Sequence, residues 1–432
     1  MSRLKFVAST NDDALSERED PLRPVSYVDI SSVDLTRGIT HIEEMVFEDA
    51  PSRARRLVRD GDTIVSTVRT YLRAIAPITD PSPTMVVSTG FAVIRPRDFD
   101  PGFSGWALRA QGFVEEVVAR SVGVSYPAIN APEIGNIPVA APPLDEQRGI
   151  AAFLDRETER IDSLIAKKRL LIERLQEYRT ALITRTVTRG LPPEAARAAG
   201  LDPSPRLKPS GVEWLGDVPE HWDVMPLRRL LSEPLKYGAN EAGEHDDPAH
   251  PRYVRITDIT DSDSLRDETF RSLPPDVAAP YLLEEGDLLL ARSGATVGKS
   301  FLYRRAWGEC AYAGYLIRAR CQTQAVESRF VRYFTASDPY WQWLNSAFIQ
   351  ATIQNVSAER YSGLLLPVPP RDEQDAIVFY LDSQTRQIDF LETQVDFAIE
   401  RLQEYRTALI TAAVTGKIDV RDEVSVTPYR VE

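Results

Sequence analysis

The run Ser293-Gly-Ala-Thr-Val-Gly-Lys-Ser300 has the residue types of a phosphate-binding loop. Its spacing argues against one. Three residues separate Gly294 from Gly298 where a Walker loop has four, and a shorter loop misplaces the backbone N–H groups that cradle phosphate. The run suits a strand-to-loop turn with a basic tip, from which Arg292, Ser293 and Lys299 reach toward a polyanion. The matching turn of the N-terminal half holds Arg69, Thr70, Tyr71 and Arg73. Arg53, Arg55, Arg56 and Arg59 form a basic cluster upstream of it. A guanidinium grips phosphate, or reads a guanine edge, with two parallel hydrogen bonds. Solvated surface charge accounts for any one of these residues alone. Their recurrence at one place in both halves is what points to binding.

Catalysis has no comparable footing. The acid pairs Asp145/Glu146 and Asp372/Glu373 follow paired prolines at the start of helical runs, where Asp145 and Asp372 are expected to cap the helix and complement its dipole. Trp214 and Trp222 flank Pro219 in a segment that reads as a packed domain lead-in. Four scattered histidines offer no metal site, and Cys310 and Cys321 give neither a disulfide framework nor a metal spacing, which suits a reducing cytoplasm. The chain has no Asn-Pro-Pro-Tyr or Asp-Pro-Pro-Tyr loop of amino-methyltransferase type. It also lacks a Gly-rich cofactor fingerprint, a helicase Walker set and a nuclease cluster. No run of about 18 apolar residues is present, and the first residues lack a signal-peptide core. The net charge of −13 opposes indiscriminate coating of DNA. Residues 1–140 hold 15 basic and 19 acidic side chains, and residues 211–368 hold 16 and 22. If these regions bind DNA, base contacts and partner subunits must supply much of the affinity.

The elements that must position these turns come in duplicate. Ile172–Thr184, IERLQEYRTALIT, recurs unchanged at Ile399–Thr411, an offset of 227 in 432 residues. Each copy ends a long run of apolar residues at steps of three and four that starts after Pro142-Pro-Leu-Asp-Glu-Gln147 or Pro369-Pro-Arg-Asp-Glu-Gln374. About 40 residues of helix span roughly 60 Å. The seam is read as Leu154, Ile161, Leu175, Tyr178 and Leu182 in one helix and Leu381, Ile388, Leu402, Tyr405 and Leu409 in the other. Leu175, Tyr178 and Leu182 are expected across from Leu402, Tyr405 and Leu409 or their neighbours. Strand-like runs also match: Tyr27–Ile30 with Tyr253–Ile256, and Asp60-Gly-Asp-Thr-Ile-Val65 with Glu285-Gly-Asp-Leu-Leu-Leu290. A third pair matches Gly90-Phe-Ala-Val93 with Gly314-Tyr-Leu-Ile317. Val86–Ile94 reads as one strand and Trp106–Ala119 as one helix. The expected fold is α+β, with two mixed α/β globules at 1–140 and 211–368 and long helices at 141–190 and 369–416 pairing as an antiparallel coiled coil. A Pro/Ala-rich linker occupies 191–210 and a tail 417–432.

Together these features resemble the specificity subunits of type I restriction–modification systems. The carriers are PPLDEQRGIAAFLD and PPRDEQDAIVFYLD with their helices, the lead-in GVEWLGDVPEHWDV, the turn LLLARSGATVGKS and the ending AVTGKIDV. The resemblance spans nearly the whole chain. It implies that each globule is a target recognition domain reading one half of a bipartite site in double-stranded DNA. It implies that the helices space the two and dock two modification subunits, which carry S-adenosylmethionine, and that restriction subunits bring ATP, Mg and nuclease activity. The chain itself would be a cytoplasmic, non-catalytic subunit without cofactor, metal or membrane partner. The alternative is an orphan DNA-binding or scaffold protein of a related defence system without an active restriction subunit. One departure stands out: the first half, beginning near Arg3-Leu-Lys-Phe6, has no counterpart of the Trp-rich lead-in at 212–222.

Overall fold

The computed structural model describes residues 1–260, 264–294, 296–348 and 355–420, so most of the expected tail lies outside the described residues. The chain divides into two compact units. One joins Met1–Arg169 to the segment from Asp396 onward, and the other is Leu170–Val395. The long helices are Leu144–Arg189 and Arg371–Val414. Each therefore contributes its opening turns to one unit and its repeat copy to the other.

Proline stops the preceding strand and is tolerated where a helix begins, because its missing N–H would be unsatisfied there anyway. The helices start at Leu144 and Arg371, directly after Pro143 and Pro370. Asp145 and Asp372 consequently sit inside the first turn rather than at the cap, where they still complement the dipole. The structural weight of the shared motif falls on its glutamines. Gln147 is buried, accepts from the Asp100 N–H (2.7 Å) and donates to the Pro142 carbonyl (2.7 Å). Gln374 does the same with the Glu327 N–H (2.7 Å) and the Pro369 carbonyl (2.8 Å). Buried polar groups are costly unless paired, and these two are paired at both ends.

In the first unit a sheet runs Glu43–Val46, Pro24–Val28, Met85–Ser88, Ala54–Leu57, with Tyr27 opposite Val86 in a parallel pair. A second, antiparallel sheet runs Ala8–Thr10, Phe91–Pro96, Thr63–Ser66, Ile75–Pro77. The expected single strand over Val86–Ile94 is thus two strands in different sheets, parted at Thr89-Gly90. Likewise Trp106–Ala119 is divided between helices Pro101–Arg109 and Gln111–Ala119, because Ala110 is extended (ψ 141°). The second unit repeats the plan. Arg252–Val254 pairs in parallel with Cys310–Tyr312, and an antiparallel sheet runs Lys236–Tyr237, Leu316–Ala319, Leu288–Ala291, Ser300–Leu302.

Strand Leu288–Ala291 is buried throughout because its two faces meet different cores. Leu288 and Leu290 join Leu182, Val187, Trp222, Ile377 and Leu381, while Leu289 and Ala291 join Val254, Phe301 and Leu316. Each fully buried aliphatic side chain contributes about 1.5–3 kcal/mol. The repeat copy in this unit thereby packs beside the opening turns of the second helix, whose Ile388 belongs to the same core.

Ion pairs set the antiparallel register within each unit. Arg406 holds Asp162 through Nε (3.0 Å) and Nη2 (3.3 Å), and Arg179 pairs with Asp389. These are the same repeat positions in exchanged helices. Leu154, Ile161, Leu182, Leu381, Ile388 and Leu409 are buried, and Leu175 and Leu402 partly so. Tyr178 and Tyr405 are 55% and 57% exposed and do not belong to a seam. The expected match of Leu175, Tyr178 and Leu182 with Leu402, Tyr405 and Leu409 also fails. An antiparallel register sets each repeat copy beside the start of the other helix, so the first trio belongs to the second unit and the other to the first.

Candidate nucleic-acid interface

The turns singled out in the sequence hang from one buried ionic fastening, built twice. Asp62 accepts from Arg95 Nε (2.9 Å) and Nη2 (2.8 Å) and from the Arg59 N–H (2.8 Å). Asp287 accepts from Arg320 Nε and Nη2 (2.8 Å each) and from the Glu284 N–H (2.8 Å). The two-point bond to Asp62 holds the Arg95 guanidinium well above its ordinary pKa, and Asp287 does the same for Arg320. Each aspartate directly precedes a strand, Thr63–Ser66 or Leu288–Ala291; Arg95 lies on the neighbouring strand of the first unit, and Arg320 directly follows the neighbouring strand Leu316–Ala319 of the second. The loop that follows therefore leaves from a fixed point.

Backbone bonds establish how the two loops correspond. Thr67 donates to the Gly90 carbonyl and accepts from the Ile129 N–H, while Arg292 donates to Tyr315 and accepts from Val356. The next residues, Val68 and Ser293, bridge Ala128 and Asn355. Thr67 thus corresponds to Arg292, Arg69 to Gly294, and Arg73 to Gly298. The expected charges share a loop but not a position: Arg292 answers a threonine and Lys299 answers the buried Ala74.

Arg69 and Arg73 both adopt left-handed backbone (φ 51° and 54°), as do Gly294 (82°) and Gly298 (85°). Gly298 has no room for a side chain, since a Cβ there would stand 2.1 Å from Leu344 Cδ2. The phosphate-loop reading fails on the same turn. The N–H groups of Val297, Gly298 and Lys299 donate to the carbonyls of Gly294, Ala291 and Thr296, so these three are spent within the turn and do not cradle a phosphate. Arg292 lies over the Tyr237 ring (4.6 Å) and reaches Asn355 Oδ1 through Nε (3.3 Å). Arg69 lies over Tyr126 (5.2 Å). Thr70 is buried and bonded to Ser121, so it supports the loop rather than offering a hydroxyl. Lys299 is exposed, and Ser293 is half-buried at its bridge.

The upstream cluster separates. Arg53 donates to the Tyr27 hydroxyl (3.0 Å) and pairs with Asp29 (2.8 Å); Tyr27 and Asp29 together raise its pKa. Arg55 lies over Phe47, Arg59 pairs with Asp13 (2.8 Å), and Arg56 Nε is buried without a partner among the described residues. Exposed Tyr71, Tyr126 and Tyr315 belong with the loops. Tyr126, Tyr237 and Asn355 went unnoticed in the sequence because they come from distant segments. Among the described residues no group of His, Cys, Asp and Glu is placed to hold a metal ion, and no helix is long and apolar enough to cross a membrane. Burial pushes the Cys310 and Cys321 thiols up to about 12.

No protein-family model matches the chain. It is 21% identical over 316 residues to the type I restriction enzyme EcoBI specificity subunit of Escherichia coli, a match covering 71% of this chain and 64% of that protein. It is 22% identical over 331 residues to the StySPI specificity subunit of Salmonella potsdam, covering 75% and 67%. The chain thus spans about two thirds of the length of these relatives. A chain from a structure of type I R-M complex assembly and conformational transition superposes with a TM-score of 0.73 at 23% identity, covering 96% of this chain and 97% of that one. The HsdS subunit of Thermoanaerobacter tengcongensis gives 0.54 at 23%, covering 96% of each chain. This is the type I specificity-subunit fold. In the specificity-subunit fold found here, the twin fastenings and glutamine clamps are common to both halves, and the loops are where the halves part.

Proposed function

We propose that the chain is the DNA sequence-specificity subunit of a type I restriction–modification complex, with one target recognition domain in each unit. The observation that carries this is the pairing of a duplicated support with unlike loops. Asp62–Arg95 and Asp287–Arg320 hold equivalent strands, yet the loops beyond them present Arg69 and Arg73 in one unit and Arg292 and Lys299 in the other. Such a design reads two different half-sites from one scaffold. Arginine and lysine on the loops supply base and phosphate contacts, and the neighbouring tyrosines supply apolar surface. Replacing residues 67–74 with those of a relative of different specificity should change one half of the methylated motif and leave the other unchanged. A changed second half, or no change, would sink the assignment.

Two modification subunits are the proposed partners, bringing S-adenosylmethionine and adenine methylation. Restriction subunits would add ATP, Mg and cleavage. The docking surface is the outward face of the repeat. Glu173, Gln176, Glu177 and Thr180 line a groove with Asp338, and Glu400, Gln403, Glu404 and Thr407 line its twin with Gln111. Folding does not require identity at exposed positions, whereas binding the same partner twice does. Exposed Tyr178, Phe379, Phe390, Phe397 and Tyr405 add the large apolar area that an interface uses. Charge reversal at Glu177 or at Glu404 should each cost one modification subunit, read by native mass spectrometry.

A further inference from the structure

The first unit contains a concave site whose Arg73 and Arg109 are not matched in the second. It lies between the loop holding Arg73, the helix holding Trp106 and Arg109, and the second repeat copy with Arg406. Arg109 lies over Trp106 (4.0 Å to the ring centre) and gives its Nε to the Gly105 carbonyl (2.9 Å); Nη1 and Nη2 hold no partner among the described residues. The Arg73 guanidinium holds none among the described residues, and Arg73 is kept in left-handed backbone that a glycine would adopt without strain. Arg406 spends Nε and Nη2 on Asp162, and its Nη1 has no partner among the described residues. One carboxylate lines the site, Glu115, already bonded to Gln111 (2.7 Å). Burial first, and then the charge of Arg406, pull the Arg109 pKa down to about 10, while the carboxylates of Asp155 and Asp162 act against that shift.

The second unit shows that the scaffold does not need this arrangement. There Tyr333 replaces Trp106, its hydroxyl donating to Asp382 (2.6 Å) as the Trp106 Nε1 donates to Asp155 (2.8 Å). By the same correspondence Ala336 replaces Arg109, and Gly298 replaces Arg73. Only the repeat arginine is kept.

We propose that this pocket binds a phosphate group, held by Arg73, Arg109 and Arg406 from three separate elements. Planar guanidinium forks converging on a partly enclosed site match the tetrahedral oxygens of phosphate and gain strength where water is thinned. The phosphate belongs either to a DNA backbone or to a small free anion; the chemistry is shared.

Calorimetric titration of the full chain with inorganic phosphate, against chloride at matched ionic strength, tests this without reference to DNA reading. Saturable uptake is expected, weakened at least tenfold by Arg109→Gln and by Arg73→Gly. The second substitution relieves strain, so that protein should melt no lower than the parent. Absence of saturable uptake, or uptake unchanged by Arg73→Gly, overturns the proposal. Adding a short duplex assigns the source: displacement of phosphate places the DNA backbone in the pocket, and retention places a free anion there. A chain that takes up phosphate but no duplex keeps the pocket and counts against the DNA reading alone.

Discussion

The loop at 67–74 and the loop at 292–299 begin and end on equivalent backbone bonds, yet they solve the same turn in opposite ways. The second unit places glycines at the left-handed positions and lets Leu344 and Trp341 pack against Gly298. The first places arginines there, accepts the strain and leaves both side chains exposed. Non-glycine residues in this backbone cost on the order of 1 kcal/mol each. The difference teaches that the supporting strands fix where a loop emerges but leave open whether its turn serves packing or presents charge.

The comparison breaks most decisively at its common element. Asp62→Ala and Asp287→Ala each remove the buried carboxylate that takes two guanidinium N–H groups, leaving Arg95 only its bond to Asp13 and Arg320 its bond to Glu284, and each should destabilise its own unit by about 1–3 kcal/mol. Hydrogen exchange resolved by unit measures this; one unit tolerating the loss would mean the fastening is not shared. Next comes an exchange of turn residues. Gly298→Arg adds a side chain where Leu344 already stands and should cost about 2–3 kcal/mol. Arg73→Gly should be neutral or stabilise by up to about 1 kcal/mol. Equal and opposite melting shifts would refute the contrast drawn above. A smaller asymmetry lies at the helix starts. Glu373 is buried and accepts from His221 (2.7 Å) and Trp222 (3.0 Å), whereas Glu146 is exposed. Glu373→Ala should cost about 1–3 kcal/mol. Glu146→Ala should stay within about 0.5 kcal/mol by thermal unfolding. The smallest effect is acid sensitivity at an inverted charge. Asp29 is partly buried, which alone would raise its pKa, but bonds from Ser31 and Tyr27 and the charge of Arg53 hold it below the ordinary value of 3.8. Its lowered pKa stabilises the fold above pH 3.8, and that contribution is lost as pH falls through the lower folded value. Asp29→Asn should flatten this part of the first unit's acid unfolding curve.

How much of this was legible before the fold was seen depends on the range of the signal. The long helices were plain because their periodicity is local and uninterrupted. Val86–Ile94 misled because Met85–Ser88 is buried on both faces, which erases the alternation that would have marked its end. The turns after Asp62 and Asp287 were found through their Gly-Asp openings, but their residue-by-residue match was hidden. Nothing in a sequence announces that an arginine stands where its counterpart is a glycine. Tyr178 and Tyr405 fell on the heptad yet face outward, since a seam that also packs on a globule is wider on one side than a/d spacing describes. The aromatic partners of Arg69 and Arg292 come from segments far along the chain, and no local pattern links them.

The division of the chain has a consequence for its synthesis. Residues 170–395 are contiguous, so the second unit possesses all of its chain as soon as Val395 leaves the ribosome. The first unit still lacks the strip from Asp396 onward, including Arg406 for Asp162 and the buried Leu409, Ile410, Ala413 and Val414. The half translated first is therefore finished last, by closing a very long loop at an entropic cost that grows only with the logarithm of its length. Until then the faces of Leu154 and Ile161 await cover, and proteolysis of arrested nascent chains should find the second unit resistant before the first.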